Sequence, residues 1–465
     1  MKGKTPLGCL LAKHQGRLRP TTRRLTIACS MAGGPPRGYP WRLWLGDDSL
    51  QETSTKNEVC RALRPADFGG RAMTLRRLLF WVHLGVGVVI GLVIGFLAVT
   101  GSILAFQSQI VAFAERNAQV TSPTQSSCVA PSDLLKNASN YRHSSAASLV
   151  LFSDPHRPSE VSFGADSVVL VNSCDGRVIG NGSKLRGFFS DVRDLHRWVA
   201  LNGIRHERLR SIKDACVVAF VFMILSGLVI WFPRKLTWQH LRPAVFFRRD
   251  LRGRAREWNW HNVFGFWMAV PLAVIALSGT IMAYPWANAL LYRVAGDHLP
   301  TERTEAEPKR TKLLHADQFA SLDAAIRAAM AQDAKWRSLE MRLPSEKDPN
   351  VAFRLEEGDG SDPRQRVQLV LARMDGHVVR VDPFFSNSPG RRWRIYARFV
   401  HTGEMFGMPG RIVALLACIS AFMLVWTGFS LALRRFSSWK KRRASHENIG
   451  SQRRPQSSVQ EAARV

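Results

Sequence analysis

Four histidines stand where histidine is uncommon. His83 lies inside residues 78–106, LLFWVHLGVGVVIGLVIGFLAVTGSILAF, a run of 29 residues without Asp, Glu, Lys or Arg. His261 opens a second such run, WHNVFGFWMAVPLAVIALSGTIMAYPW, and His196 and His401 precede two more. Ionisable residues inside apolar spans are costly to place in lipid and mark functional sites. The spacing repeats: His83 precedes Gly87 by four and Thr100 by 17, and His261 precedes Gly265 by four and Ser278 by 17. Gly87 and Gly91 share the His83 face of a helix, which leaves a strip that a flat ligand or a second helix can approach closely.

Two neutral imidazoles from different helices, one on each face of a planar ring, satisfy the axial positions of a b-type haem iron. His83 with His261, and His196 with His401, would make two such iron sites. At 1.5 Å per residue, Thr100 lies roughly 26 Å along the helix from His83, so the two sites would sit at different depths. The absence of a CxxCH motif makes the expected haem b non-covalent. Arg205, Arg208, Arg394 and Arg398, near His196 and His401, are candidates for pairing with haem propionates or an anionic substrate. A plainer alternative stays open: a histidine can simply hydrogen-bond across a helix interface, and small residues at i, i+4 usually pack helices. His206, His298, His315 and His377 lie in polar stretches and read as solvated. Trp81, Trp198, Trp260 and Trp393 read as interfacial anchors.

The elements that must hold these residues are four membrane helices, predicted near 77–106, 212–232, 261–291 and 411–434. The loop 234–257 carries eight Lys/Arg against two acids. Arg76 and Arg77 before the first helix, and Arg434, Arg435 and 440–443 after the last, repeat that bias. The positive-inside rule puts both termini and this loop in the cytoplasm. The two polar segments between helices then lie on the far side, which in a bacterial inner membrane is the periplasm. The predicted order is a basic extension 1–72, helix one 73–108, lobe one 109–205, helix two 206–233 and a basic loop 234–259. Helix three 260–292, lobe two 293–405, helix four 406–435 and a tail 436–465 complete it. The extension reads as disordered without a signal peptide, and Met73 in MTLRRLLFWVH reads as an alternative natural start. The tail also reads as disordered.

Each lobe reads as α+β. Pro131 to Asn137 reads as a short helix, SLVLFS, EVSFGA and SVVLVNS as strands, and Asp175-Gly176 as a turn that leads into RVIG. In the second lobe LHADQFASLDAAIRAAMAQ reads as an amphipathic helix, WRSLEMRLP, VAFRLEE and RVQLVLARMDGHVVRVDP as strands around Asp375-Gly376. Asp175 and Asp375 are 200 residues apart, and Ser226-Gly227 and Thr427-Gly428 are 201 apart. An internal duplication accounts for both. Cys128 and Cys174 would form a disulfide in an oxidising compartment, or remain free.

Composition narrows the function. A formal net charge of +29 reads as topogenic, so no nucleic-acid partner is expected. Seven scattered cysteines without CxxC exclude a sequence-evident zinc site, and no Walker loop occurs. Gly85, Gly87 and Gly91 lie in a membrane helix after no strand, so they are not a dinucleotide fingerprint.

The segments LRRLLFWVHLGVG, DLHRWVALNG, LSGLVIWFPRK, WNWHNVFGFW and FVHTGEMFGMPGR, in this order over about 73–436, resemble the PepSY-associated transmembrane helix family. The resemblance implies a bacterial inner-membrane protein connected with iron uptake, similar in some relatives to haem-containing ferric-siderophore reductases. It implies His83, His196, His261 and His401 as haem ligands, with Gly87 and Gly265 beside them. It also implies an electron donor outside this chain, a quinol or a separate reductase, and a ferric siderophore or other ferric chelate as acceptor. Two rival readings are a membrane-anchored PepSY-type binding or regulatory module, and an accessory to siderophore or metal transport without redox activity. An anchor needs no repeated boundary histidines, and the spans show no mid-depth carboxylate of the kind a proton-coupled carrier uses.

Overall fold

The computed structural model describes residues 75–118, 129–164, 167–198, 204–233, 237–299, 314 and 316–452. The expectations for 1–72 and Met73, and the pairing of Cys128 with Cys174, lie outside these residues.

In chain order, α1 (Leu75–Leu104) and α2 (Gln107–Ala114) are followed by α3 (Pro131–Arg142) and strands β1 (Ser148–Phe152), β2 (Ser159–Ser162), β3 (Val168–Val171) and β4 (Val178–Asn181). Then come α4 (Leu185–Trp198), α5 (Ile204–Trp231), α6 (Trp238–Val245), α7 (Gly253–Ala283) and α8 (Pro285–Val294). The second polar segment supplies a 3-10 turn, Ala316–Leu322, α9 (Asp323–Ala331), and strands β5 (Ser338–Arg342), β6 (Asn350–Glu356), β7 (Arg366–Ala372) and β8 (Val378–Pro383). Helices α10 (Pro389–His401) and α11 (Gly407–Gln452) end the described chain.

Helices α1, α5, α7 and α11 are long and apolar enough to cross a membrane, and the chain is a membrane protein. Each of α1 and α7 packs against both α5 and α11, so α1 and α7 stand diagonally across a four-helix bundle. Apolar side chains such as Val89 and Leu92 point outward and are exposed, as lipid-facing positions are. Small residues fill the inside: Ala98, Ala417 and Ala421 are buried around Leu272.

The predicted third span is displaced. Its helix begins at Gly253 and stops at Ala283, because Pro285 cannot continue the ladder and opens α8 instead. The tail is also corrected. Expected to be disordered after 436, it continues α11 to Gln452, since Lys and Arg are good helix formers and no Gly or Pro interrupts them before Gly450.

The two lobes are not separate bodies. Their strands form one eight-stranded antiparallel sheet in the order β4-β3-β2-β1-β5-β6-β7-β8. The join is β1 against β5, where Leu149 faces Met341 and Leu151 faces Leu339, all four buried. Each lobe alone would leave that strand edge unpaired in its core, and pairing removes both edges. The halves correspond in detail. A register irregularity at Leu170/Val171 recurs at Val370/Leu371, and Gly176 and Gly376 both take positive φ in the turns that follow. Asp175 and Asp375 accept the amides of Arg177 and His377, so Asp supplies the turn contact and Gly the left-handed residue.

One face of the sheet is covered by α3, the 316–322 turn and α9, with Leu135, Phe319 and Ile326 in the core. Ser132 at the start of α3 donates from its amide and its hydroxyl to the Asp323 carboxylate at the start of α9. The other face looks toward α4 and α10. Arg186 of α4 bridges Glu160 of β2 and Glu115, and Arg366 of β7 lies 4.8 Å over the Phe399 ring of α10. Thus α4 and α10, which carry His196 and His401, lie between the sheet and the bundle.

Candidate functional site

Each of the four histidines hydrogen-bonds through Nδ1 to a Ser or Thr hydroxyl on a neighbouring helix. His83 of α1 meets Ser226 of α5 at 2.8 Å, and His261 of α7 meets Thr427 of α11 at 2.9 Å. His196 of α4 meets Thr100 of α1 at 2.8 Å, and His401 of α10 meets Ser278 of α7 at 3.1 Å. The residue after each hydroxyl is glycine, and a Cβ there would come within 3.3–3.6 Å of the histidine Cε1 at Gly101, Gly227, Gly279 and Gly428. The Ser/Thr-Gly pair is therefore a seat for an imidazole: the hydroxyl holds Nδ1 and the missing side chain admits the ring edge.

The hydrogen-bond directions settle the tautomer. The His401 Nδ1 also lies 3.0 Å from the Ile275 carbonyl, which only accepts, so Nδ1 carries the proton. The other three follow the same logic. Thr100 donates its proton to the Phe96 carbonyl, Thr427 to that of Met423 and Ser226 to that of Met223. Their lone pairs are then left to accept Nδ1–H. In each ring Nε2 keeps its lone pair and has no bond among the described residues. This is the arrangement of a metal-ligating histidine whose other nitrogen is held by an outer partner.

The histidines fall into two pairs. His83 and His261, from the diagonal helices α1 and α7, line one cavity of 400 Å³ with Gly87, Gly91 and Gly265. Its walls are apolar, and Arg254 and Arg435 stand at the basic end of the bundle. Met223 and Phe429 lie against the glycine strip: a Cβ on Gly87 would come 2.9 Å from the Met223 methyl, and one on Gly91 2.6 Å from the Phe429 ring. His196 and His401, at the sheet end, have ring centres 6.4 Å apart. Imidazole nitrogens sit about 2.0–2.1 Å from a bound metal, so ring centres on either side of one metal atom stand roughly 6 Å apart.

No cluster of three or more His, Cys, Asp or Glu suited to a metal occurs among the described residues. Two imidazoles are too few for a tetrahedral zinc site, but they match a metal whose remaining positions come from a planar macrocycle. With the lone pairs on Nε2, and for His83 and His261 a glycine-lined cavity, the donor set fits haem.

The four candidate arginines are placed differently. Arg394 donates to Asn288 Oδ1 at 2.9 Å and so ties α10 to α8. Arg398 pairs with Glu404 at 3.6 Å and lies over the Phe399 ring. Burial lowers the Arg398 pKa; Glu404 opposes this, while Arg366, Arg197 and Arg354 add to it, marking a concentration of positive charge around α10. Arg208 is exposed, and the Arg205 side chain lies outside the described residues. Sequence reading noted the Ser/Thr-Gly repeats without assigning them a role, and counted Arg254 and Arg435 only as topogenic. The separation of 17 from His83 to Thr100 and from His261 to Ser278 was the signal for the hydroxyls. The partner of each could not be read from it.

A membrane bundle of four helices, with paired histidines at two levels and an antiparallel sheet assembled from both extramembrane segments, defines a multi-span membrane protein with an α+β domain. Residues 80–435 match the PepSY-associated TM region family, and the chain belongs to that family. Comparison with curated proteins gives no match.

Proposed function

We propose that this chain is a b-haem electron-transfer protein of the bacterial inner membrane that reduces a ferric siderophore or similar ferric chelate in the periplasm and releases iron as Fe(II). The observation that carries the reading is the set of four histidines, each with Nδ1–H tied to a hydroxyl and Nε2 left as a donor, grouped in two pairs. His83 and His261 would hold one haem and His196 and His401 the other. A bound haem supplies reversible one-electron exchange at iron. The chain's own residues orient the imidazoles, exclude water with the apolar cavity walls, and set ligand basicity through Ser226, Thr427, Thr100 and Ser278. Arg254 and Arg435 are suited to anionic propionates at the inner site.

The same reading places the sheet domain in the periplasm and takes the matched halves as an internal duplication. Ferric iron in siderophores is held by hard oxygen donors that bind ferrous iron more weakly, so reduction is a release step. The positive charge around α10, with Arg197 exposed beside His196, attracts an anionic chelate.

The first test is an absorption spectrum of the purified protein with and without dithionite. A Soret band and a reducible alpha band are expected, and His→Ala at each of the four positions lowers haem content. Protein without these bands removes the proposal. For the reaction, dithionite-reduced protein freed of excess reductant is mixed anaerobically with a ferric siderophore and a ferrous trap. Haem reoxidation matched by ferrous complex formation is the expected result; haem that stays reduced with hydroxamate and carboxylate chelates alike refutes the reductase assignment.

A further inference from the structure

The loop between α6 and α7 forms a second concave site, of 430 Å³, at the basic end of the bundle. Phe247, Phe264 and Trp260 form its apolar walls, and Arg248, Arg249, Arg252 and Arg256 converge on it. Topology alone requires cations on this side of a membrane, but it does not require them to face one cavity.

The loop is held in place by the bundle. Asn259, fully buried in the first turns of α7, donates to the carbonyls of Pro243 at 2.6 Å and Phe246 at 3.0 Å, and accepts the Arg248 amide at 3.1 Å. Trp267 donates from its indole to the Val245 carbonyl at 2.8 Å. Phe247 meets Phe264 edge to face, with ring centres 5.1 Å apart. The wall carrying the arginines is thus preorganised, which cuts the ordering cost of binding.

Two of the four charges are open for a ligand. Arg248 is neutralised by Asp250 at 2.6 Å, and Arg256 lies over the Trp260 ring at 5.4 Å. The Arg249 and Arg252 side chains have no ion pair or hydrogen bond among the described residues. Guanidinium groups match phosphate oxygens through paired N–H donors. Trp238 in α6 and Trp258 at the start of α7 are exposed on the two helices that flank the loop, and tryptophans mark the headgroup level of a bilayer. An inorganic anion would gain nothing from three aromatic walls, whereas a lipid fills them with its glycerol and upper acyl carbons.

We propose that this pocket is a specific site for an anionic glycerophospholipid, with the phosphate on Arg249, Arg252 and Arg256 and the glycerol region against Phe247, Trp260 and Phe264. It does not depend on the haem reading, because none of its ligand-facing residues is one of the paired histidines or their hydroxyl partners.

The test uses the full chain reconstituted in phosphatidylcholine containing a minor fraction of phosphatidylglycerol, with retained lipids counted by native mass spectrometry after release. Wild type is expected to retain phosphatidylglycerol in preference to phosphatidylcholine. The combined change Arg249→Gln, Arg252→Gln and Arg256→Gln should weaken retention roughly fivefold per arginine, about a hundredfold in all. The control Lys440→Gln, Lys441→Gln and Arg442→Gln, which removes equal charge from the exposed end of α11, should leave it unchanged. Arg252→Gln alone serves if the triple variant does not elute as a monodisperse species, and replacement by Lys should restore part of the binding. Equal losses in the pocket and control variants, no preference for the anionic lipid, or displacement of the lipid by millimolar inorganic phosphate or a soluble mononucleotide would overturn the proposal.

Discussion

At the scale of single residues, the four hydroxyls explain why neutral side chains with almost no surface matter at this site. Ser226 and Thr427 are buried and reached by one histidine each. Removing the hydroxyl takes an acceptor away from the Nδ1–H and makes the imidazole a weaker electron donor. In the haem-loaded protein, Ser226→Ala or Thr427→Ala should therefore raise the midpoint potential of the inner haem and lower its retention by roughly tenfold. Ser226→Thr, which keeps the oxygen, should restore both. Spectroelectrochemical titration reads the potential, and a pyridine haemochrome assay reads the content. An unchanged potential in both alanine variants would mean that these hydroxyls do not act on a ligand.

At the scale of elements, the sheet is fastened to the membrane helices through a small number of polar contacts. Arg186 of α4 takes Glu115, next to α2, in two bonds of 2.7 Å, and Glu115 also accepts the Ser183 amide at 2.7 Å. Burial raises the Glu115 pKa, but these bonds and the nearby Arg186 charge outweigh it and hold the carboxyl below its ordinary value of 4.5. A carboxyl depressed in the folded state contributes stability that is fully present above its unfolded pKa and is lost as pH falls through the folded one. Thermal melts followed by circular dichroism should thus show a decline beginning below about pH 4.5. Glu115→Gln should flatten that decline and cost on the order of 1 kcal/mol at neutral pH, after allowance for solvent screening. A variant that keeps the full acid-induced loss would assign that loss to other carboxylates.

For the whole molecule, orientation is the property that the proposed function most needs. The basic residues at the start of α1, between α6 and α7 and along the end of α11 share one end of the bundle, where Arg434 pairs with Glu257 at 2.8 Å. Alkaline phosphatase fused after Arg443 should be inactive in cells, and the same reporter inserted in the exposed turn at Asp375 should be active. The reverse pattern would put the sheet domain in the cytoplasm and exclude a periplasmic acceptor.

Local rules carried a large part of this protein. Apolar runs without charge predict α1 within two residues at each end and the C-terminal end of α5, while α5 begins at Ile204 rather than 212 and α11 continues past 436. Alternating apolar residues with Asp-Gly turns predict every strand but β4, which reads only as the segment after a turn, because strand period and turn chemistry depend on near neighbours. The set of four histidines was also legible, since an imidazole in or beside an apolar run stands out whatever the packing. Other features were decided only by tertiary structure. Ser226 meets His83 across 143 residues and Thr427 meets His261 across 166, and those partnerships follow from which helices are adjacent. The union of the lobes through β1 and β5 depends on two strand edges that each half leaves open. Asn259 reads as one more polar residue before an apolar run, yet folded it holds three backbone groups of a loop that begins 16 residues earlier. Spacing within one helix is set by its own geometry. Contacts between distant segments are set by the shapes that pack and by the polar groups that packing would otherwise leave unpaired.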